Sequence, residues 1–286
     1  MLRNLVVSGG SSKTIAVLGA IRYLEEHALL YGIRNMIGTS AGSILLFMLA
    51  LGYNTRDMLH LLQDHFLGND LQSLTLDEIG SLGMLTSFGM DSGKNITVFL
   101  EDCLFLSLHC KEITFRDLVK HTGINFVVCV ANLSKCKTEY MCVDNSPDLN
   151  VVTAVRMSCS LPYIFTPVIY NDCYYVDGGI YEMLPISYID MSRDTMMDTI
   201  AINTMSKNAD EPIESFLDYT RVLFTSIIAK VNSNIVTNKK IKLVNIEFDG
   251  EQELAFSFDK MNFAISDTLI ENYVNKGYEI MKKCFE

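Results

Sequence analysis

The chain is short of positive charge. Of its 286 residues, 23 are Lys or Arg and 34 are Asp or Glu, a formal net charge of −11. That balance argues against a nucleic-acid partner and against electrostatic anchoring to an anionic membrane, because both need clustered cations. It leaves open weak interfacial contact through apolar side chains. No Cys-x-x-Cys pair is present. The eight cysteines stand at 103, 110, 129, 136, 142, 159, 173 and 284, several inside apolar runs such as "FVVCVAN". This pattern predicts reduced structural thiols in a cytoplasmic setting, not a disulfide framework or a metal site. A membrane-spanning run is also absent. Residues 35–55 carry no charge, but Gly38, Thr39, Ser40, Gly42, Ser43 and Gly52 interrupt them. The solid apolar part, "ILLFMLALGY", suits a buried helix. "MLRNLVV" reaches "SGGSS" too soon for a secretory signal, so none is expected. There are no repeats, low-complexity tracts or Pro-rich linkers, and 49% of residues are hydrophobic. One domain over 1–286 with a sizeable core is the expectation.

Strand and helix patterns alternate along what is there. Residues 3–8 predict a strand buried on both faces, followed by a helix over "KTIAVLGAIRYLEEHAL" with Ile15, Leu18, Ile21 and Leu24 on one side. "IRNMIG" predicts a second strand and "AGSILLFMLALGY" a helix ended by Gly52. Helices are expected over "NTRDMLHLLQDHF", "NITVFLEDCLF", "TFRDLVKHTG" and "VVTAVRMSCSLP", the last stopped by Pro162. The section 76–96 predicts a loop or cap. "INFVVCVANL", "EYMCVD", "VIYNDCYYVDGG", "DTIAIN" and "KLVNIEF" predict strands. A long helix is expected over 214–235 and an amphipathic one at the end. The alternation predicts an α/β fold, a mainly parallel sheet covered on both faces.

Three short segments carry candidate chemistry. Gly38-Thr39-Ser40-Ala41-Gly42 fits G-x-S-x-G between a strand and a helix, the pattern of a nucleophile elbow. There the serine Oγ stands exposed, and the next residue's N–H, here that of Ala41, faces developing negative charge. The plain alternative is a tight turn capped by Ser40. Asp177 ends a buried-looking strand in "YYVDGG"; burial would raise its pKa and make it a better base. Here the plain alternative is an Asp-Gly turn. "SGGSSKT", residues 8–14, invites comparison with a phosphate loop. A P-loop ending in Lys13-Thr14 needs glycine at 7 and 12, where Val7 and Ser12 stand. A dinucleotide fingerprint fails from Gly9 at Ser11 and Thr14, and from Gly10 at Ser12 and Ile15. What remains is a strand, two glycines and a helix start bearing a cation, which offers backbone N–H groups to a negative oxygen. The five histidines, at 27, 60, 65, 109 and 121, all lie in helical surroundings. None follows a late strand, where a Ser…Asp…His hydrolase would want one.

In this order the three segments resemble the patatin-like phospholipase family of serine acyl hydrolases, which use a Ser–Asp dyad without histidine. The similarity runs over roughly residues 3–205 and includes "AVRMSCSLPYIFTPVIYNDCYYVDGG". It implies a three-layer α/β/α sandwich, with Ser40 as nucleophile and Asp177 as base. It places Gly9, Gly10, Ser11 and Ala41 at an oxyanion hole, with Lys13, Gly38, Gly42, Gly178 and Gly179 in supporting motif positions. It implies a phospholipid or lysophospholipid ester substrate met transiently at a membrane or micelle surface, with no cofactor and no metal. The sequence departs from the family pattern at Ser11 and Thr14, where glycines are usual, and at Glu182 and Met183, where an asparagine is usual. Those departures motivate a rival reading, a weakly active or inactive lipid-binding protein on the same scaffold. An acyltransferase with a histidine base is a third.

Overall fold

A computed structural model of the chain describes residues 1–67, 86–191, 198–206, 241–248 and 267–286, with scattered positions between 213 and 230. The helix expected over 214–235 and the first part of the 76–96 loop lie mostly outside the described residues.

The described elements run β1 (Asn4–Val7), α1 (Thr14–Glu26), β2 (Asn35–Thr39), α2 (Ala41–Ala50), α3 (Thr55–Leu62), β3 (Gly89–Asp91), α4 (Lys94–Leu108) and α5 (Phe115–Thr122). Then come β4 (Asn125–Asn132), β5 (Lys137–Met141), α6 (Val151–Ser158), β6 (Tyr163–Phe165), β7 (Val168–Tyr170), β8 (Cys173–Asp177), α7 (Ser187–Met191), β9 (Thr199–Ser206), β10 (Lys242–Phe248) and α8 (Asp267–Phe285). One sheet has the order β10-β9-β1-β2-β4-β8-β7, with β5 paired to the outer half of β4. Its β10 to β4 portion is parallel, while β8 pairs antiparallel to β4 and β7 antiparallel to β8. The expected mainly parallel α/β sandwich is therefore the observed one. Two short strands, β3 and β6, pair in a separate parallel ladder; the 76–96 segment, read as loop from its Gly and Ser content, contains one of them. Three residues are too few for alternation to register as a pattern.

The parallel strands are apolar without interruption because both faces are covered. Along β1, Leu5 and Val7 enter the larger core under α1 and α2, while Val6 enters the second core beneath α7. β4 repeats the division, with Val128 and Val130 on one side and Val127 and Cys129 on the other. Helix α2 shows almost no polar face because Ile44 to Met48 are all buried. Register is pinned at the strand starts. Asn4, Asn35 and Asn125 stand side by side on β1, β2 and β4. Asn125 Nδ2 donates to Asn35 Oδ1 (3.0 Å), Asn35 Nδ2 to Asn4 Oδ1 (2.8 Å), and Asn4 Nδ2 to Thr199 Oγ1 (2.9 Å). A one-residue slip of any of these strands would turn its side chains to the wrong core and break the chain of amides.

The last helix, which bears no motif, is bound to the first. α8 crosses α1 where each has a glycine: a Cβ on Gly19 would fall 1.8 Å from Val274 O, and one on Gly277 would fall 1.7 Å from Ala16 O. Tyr278 Oη donates to Glu26 Oε2 (2.8 Å) beside this crossing. Helix propensity alone would make Gly277→Ala stabilising by about 1 kcal/mol. Backbone contact this close reverses the sign. Gly277→Ala is expected to cost roughly 1–3 kcal/mol through overpacking, read as a lower midpoint in urea unfolding; a raised midpoint would mean that the two helices part without cost.

Candidate active site

Sheet order brings the three segments together. β1 and β2 are parallel neighbours, with Val7 opposite Gly38, so both strands run out on the same edge. There β1 passes into Gly9-Gly10 and β2 into Ser40. β4 separates β2 from β8, and Asp177 pairs with Val130 at the end of β8. The ends of parallel strands such as β1 and β2, each leading into a helix, are where open α/β sheets hold ligands, and the antiparallel β8 delivers Asp177 to the same edge.

Ser40 is the sharp point of the turn. Its backbone takes φ 52° and ψ −133° between β2 and α2, a conformation that costs an L-residue about 1–3 kcal/mol. The neighbouring glycines make room for it. A Cβ on Gly38 would lie 2.7 Å from Ser43 Cα, and one on Gly42 would lie 2.4 Å from Ser8 O. Ser40 C=O accepts from Ser43 N–H (2.8 Å) and Ser43 Oγ (2.6 Å). Ser40 N–H donates to Ser158 Oγ (2.8 Å).

Ser40 Oγ donates to Asp177 Oδ2 at 2.7 Å. The other carboxylate oxygen accepts from Gly179 N–H (2.8 Å). Asp177 is only 5% exposed. Burial pushes its carboxyl up to about 6, against the smaller opposing effect of the bonds from Ser40 and Gly179. None of the five histidines hydrogen-bonds to Ser40 among the described residues; His27 stacks on Tyr23, His60 pairs with Asp64, and His65 meets Asn95 O.

The turn after Asp177 folds back under the elbow. A Cβ on Gly178 would fall 2.3 Å from Cys129 O, so only glycine lets the turn lie on β4. Glu182 C=O accepts from Thr39 Oγ1 (3.2 Å). The Glu182 carboxylate accepts from Tyr140 Oη and from Ser187 N–H, the latter at 2.9 Å at the start of α7. The unusual pair Glu182-Met183 is thus a strut. Met183 C=O accepts the Gly9 N–H (3.2 Å), and a Cβ on Gly9 would meet Met183 Sδ at 2.5 Å and Ser40 Cβ at 3.0 Å.

The glycine loop therefore lies directly against Ser40. Gly9 contributes closeness, since its N–H is already engaged. Gly10 N–H, Ser11 N–H and Ala41 N–H donate to no acceptor among the described residues. Ser11 answers the missing third glycine by adopting φ 50°, and Thr14 Oγ1 donates to its carbonyl (2.5 Å). Lys13 closes the turn with its N–H on Gly10 O (3.0 Å). The loop is tied to β9, an attachment the motifs did not reveal. Ser8 Oγ donates to Gly9 O (2.8 Å) and accepts Thr204 N–H (3.0 Å), and Thr204 Oγ1 donates to Gly9 O (2.8 Å).

This arrangement can transfer a proton from a hydroxyl to a carboxylate beside unengaged backbone donors. A model of the family described as "Patatin-like phospholipase" matches residues 5–190. The chain belongs to that family. It is 27% identical over 267 residues to "Probable lipid hydrolase 463L" of Invertebrate iridescent virus 6, covering 91% of this chain and 90% of that one. An uncharacterized Bacillus subtilis protein, YqhO, is 28% identical over 72% of each chain. Among solved structures, VipD from Legionella pneumophila superposes with a TM-score of 0.60 at 18% identity, covering 99% of this chain and 66% of that one. ExoU, in its complex with SpcU from the type III secretion system of Pseudomonas aeruginosa, gives 0.54 at 18% identity, with 99% and 51% covered. The chain thus spans between half and two thirds of those two proteins, and the likeness to them is one of fold. Family membership makes this chain a relative of patatin-like lipid hydrolases.

Sequence reasoning missed Ser8, Thr204, Ser158 and Ser160. The "S-x-S" before Pro162 was the one available signal, two small hydroxyls at a helix end, and it has no meaning until β2 and β8 are placed around it. Ser11 is the residue whose backbone the sequence put in question. Its left-handed conformation costs about 1 kcal/mol that glycine escapes. Ser11→Gly is expected to raise the melting temperature slightly and Ser11→Val to lower it, in differential scanning calorimetry; the opposite order would mean that the turn is not left-handed in solution.

Proposed function

We propose that the chain is a serine acyl hydrolase of phospholipid or lysophospholipid esters, working through Ser40 and Asp177. The observation that carries this reading is the 2.7 Å bond from Ser40 Oγ to Asp177 Oδ2 in a buried setting. Ser40 Oγ attacks the ester carbonyl carbon while its proton passes to Asp177. The carbonyl π pair moves onto oxygen, and the oxyanion is held by N–H groups of Gly10, Ser11 and Ala41. Collapse of the tetrahedral species breaks the bond to the leaving alcohol, which takes the proton from Asp177. Water then attacks the acyl-enzyme, its proton passing to Asp177, and the second collapse releases the fatty acid and returns the proton to Ser40 Oγ. Asp177 is thus protonated and deprotonated twice per turnover, one proton leaving on the alcohol and one from water restoring Ser40, and no redox step occurs.

A solvated aspartate would be a poor base for this work. At about 6, the Asp177 carboxyl is close enough to neutral pH to take a proton and remains mostly ionised there. That ionised form is what the fold disfavours. The folded-state value lies above the unfolded value, so the folded protein holds the proton more tightly, and stability falls as pH rises from about 4 through 6. Asn in its place removes the buried charge.

Two outcomes test the reading. Turnover of a lysophospholipid, and labelling of Ser40 by a fluorophosphonate probe, should both rise with pH around a midpoint near 6, because only the ionised carboxylate accepts the proton. Ser40→Ala and Asp177→Asn should each lower hydrolysis by roughly three orders of magnitude or more, with Asp177→Asn melting no lower than the parent at pH 7. A parent protein that binds lipid vesicles but is never labelled at Ser40 would favour the non-enzymatic binder instead.

A further inference from the structure

The last turn of α6 and the two residues after it touch the backbone of both members of the proposed dyad. Ser158 is fully buried. Its Oγ accepts the Ser40 N–H at 2.8 Å and donates to Cys129 O at 2.6 Å. Two residues on, Ser160, also fully buried, accepts the Asp177 N–H on its carbonyl at 3.0 Å. Nucleophile and base come from strands separated by β4, so no backbone ladder joins them directly. One three-residue strap, 158–160, does.

The strap is itself anchored. Ser160 Oγ donates to Arg156 O (2.8 Å) and accepts from Arg156 Nη1 (2.5 Å). Arg156 is 5% exposed, and its Nη2 donates to Ser92 O (2.8 Å) and Thr166 O (3.2 Å). Its guanidinium lies 5.3 Å from the centre of the Phe165 ring. A Cβ on Gly93 would fall 2.0 Å from Arg156 Nε, so this cation is packed as well as bonded. A buried Arg satisfied by carbonyls and a hydroxyl is rigid, because each donor it withdraws leaves a desolvated group unpaired.

We propose that Ser158 is a positioning residue for the nucleophile: it holds Ser40 in its left-handed turn, and the 158–160 strap sets the distance from Ser40 Oγ to Asp177. The proposal rests on the reading of Ser40 as the nucleophile. Two further features point to this role. The single Ser158 hydroxyl proton is committed to Cys129 O while the oxygen accepts the Ser40 N–H, so it has no proton to give a substrate. And Ser40 N–H, being taken by Ser158, is withdrawn from the oxyanion, which leaves the hole to the glycine loop and Ala41.

Ser158→Ala removes the acceptor, Ser158→Cys keeps the volume with a poor one, and Ser158→Thr keeps the oxygen. The first two are expected to lower the fluorophosphonate labelling rate at Ser40, and kcat on a lysophospholipid, by roughly 10- to 100-fold. KM is expected to stay within about twofold, and amide hydrogen exchange at Ser40 is expected to speed up. Ser158→Thr is expected to keep the parent's labelling rate and Ser40 protection. A merely structural role would lower melting temperature in proportion but leave labelling per folded molecule unchanged, and that result overturns the proposal. If the parent itself is never labelled at Ser40, the hydrolase reading fails. Exchange at the Ser40 amide still decides the strap, because unchanged protection in the Ala and Cys variants refutes it.

Discussion

Everything near the candidate site depends on one backbone turn that an L-residue resists. Ser40 at φ 52° lifts its hydroxyl off the end of β2, and a turn of this kind persists only where its surroundings over-determine it. Here they do so from four directions. Ser43 takes its carbonyl, Ser158 takes its N–H, Asp177 takes its hydroxyl, and Gly9 lies against its Cβ. The glycines at 38 and 42 are then packing requirements, since side chains there would enter the backbone of Ser43 and Ser8.

The second constraint is electrostatic. A carboxylate beside a serine is an ordinary hydrogen bond in water and a tuned base only when solvent is withdrawn. Asp177 is withdrawn from water by its place at the inner end of β8, by the DGG turn lying on β4, and by the Glu182 carbonyl locked to Thr39. The strain at Ser40 and the buried charge at Asp177 both work against stability. The rest of the fold offsets them with two extensive cores, the asparagine row at the strand starts and a backbone-close helix crossing at Gly19 and Gly277.

Much of this was legible from residue order. Strands buried on both faces announce themselves as unbroken apolar runs, and β1, β2 and β4 fall where those runs stand. G-x-S-x-G and D-G-G were legible because each glycine answers a local steric demand. The strand β3 was not, because three residues beside Gly and Ser carry no period. The Glu182-Met183 departure read as a loss, yet one carbonyl there bonds Thr39 and the next bonds Gly9; a main-chain acceptor leaves no trace in side-chain identity. The α8 docking surface was equally silent, since a glycine in a helix pattern looks like a weakness until a second glycine is brought against it.

By itself, then, the sequence determined the types of the longer elements, the sheet's parallel character and which serine and aspartate were worth pairing, since periodicity, turn chemistry and motif spacing act over a few residues. Tertiary structure alone decided that Gly9 is a spacer whose N–H is spent, that Ser11 accepts a left-handed backbone, and that Ser8, Thr204, Ser158 and Ser160 hold the site. Apart from local bonds such as Ser8 to Gly9 and Ser160 to Arg156, their hydroxyl bonds cross from 29 to 196 positions of chain: 196 for Ser8 with Thr204, 118 for Ser158 with Ser40 and 29 for Ser158 with Cys129, while Ser160 reaches Asp177 through its main-chain carbonyl. A serine's oxygen has the same chemistry wherever it stands; only the fold selects the backbone group that it meets.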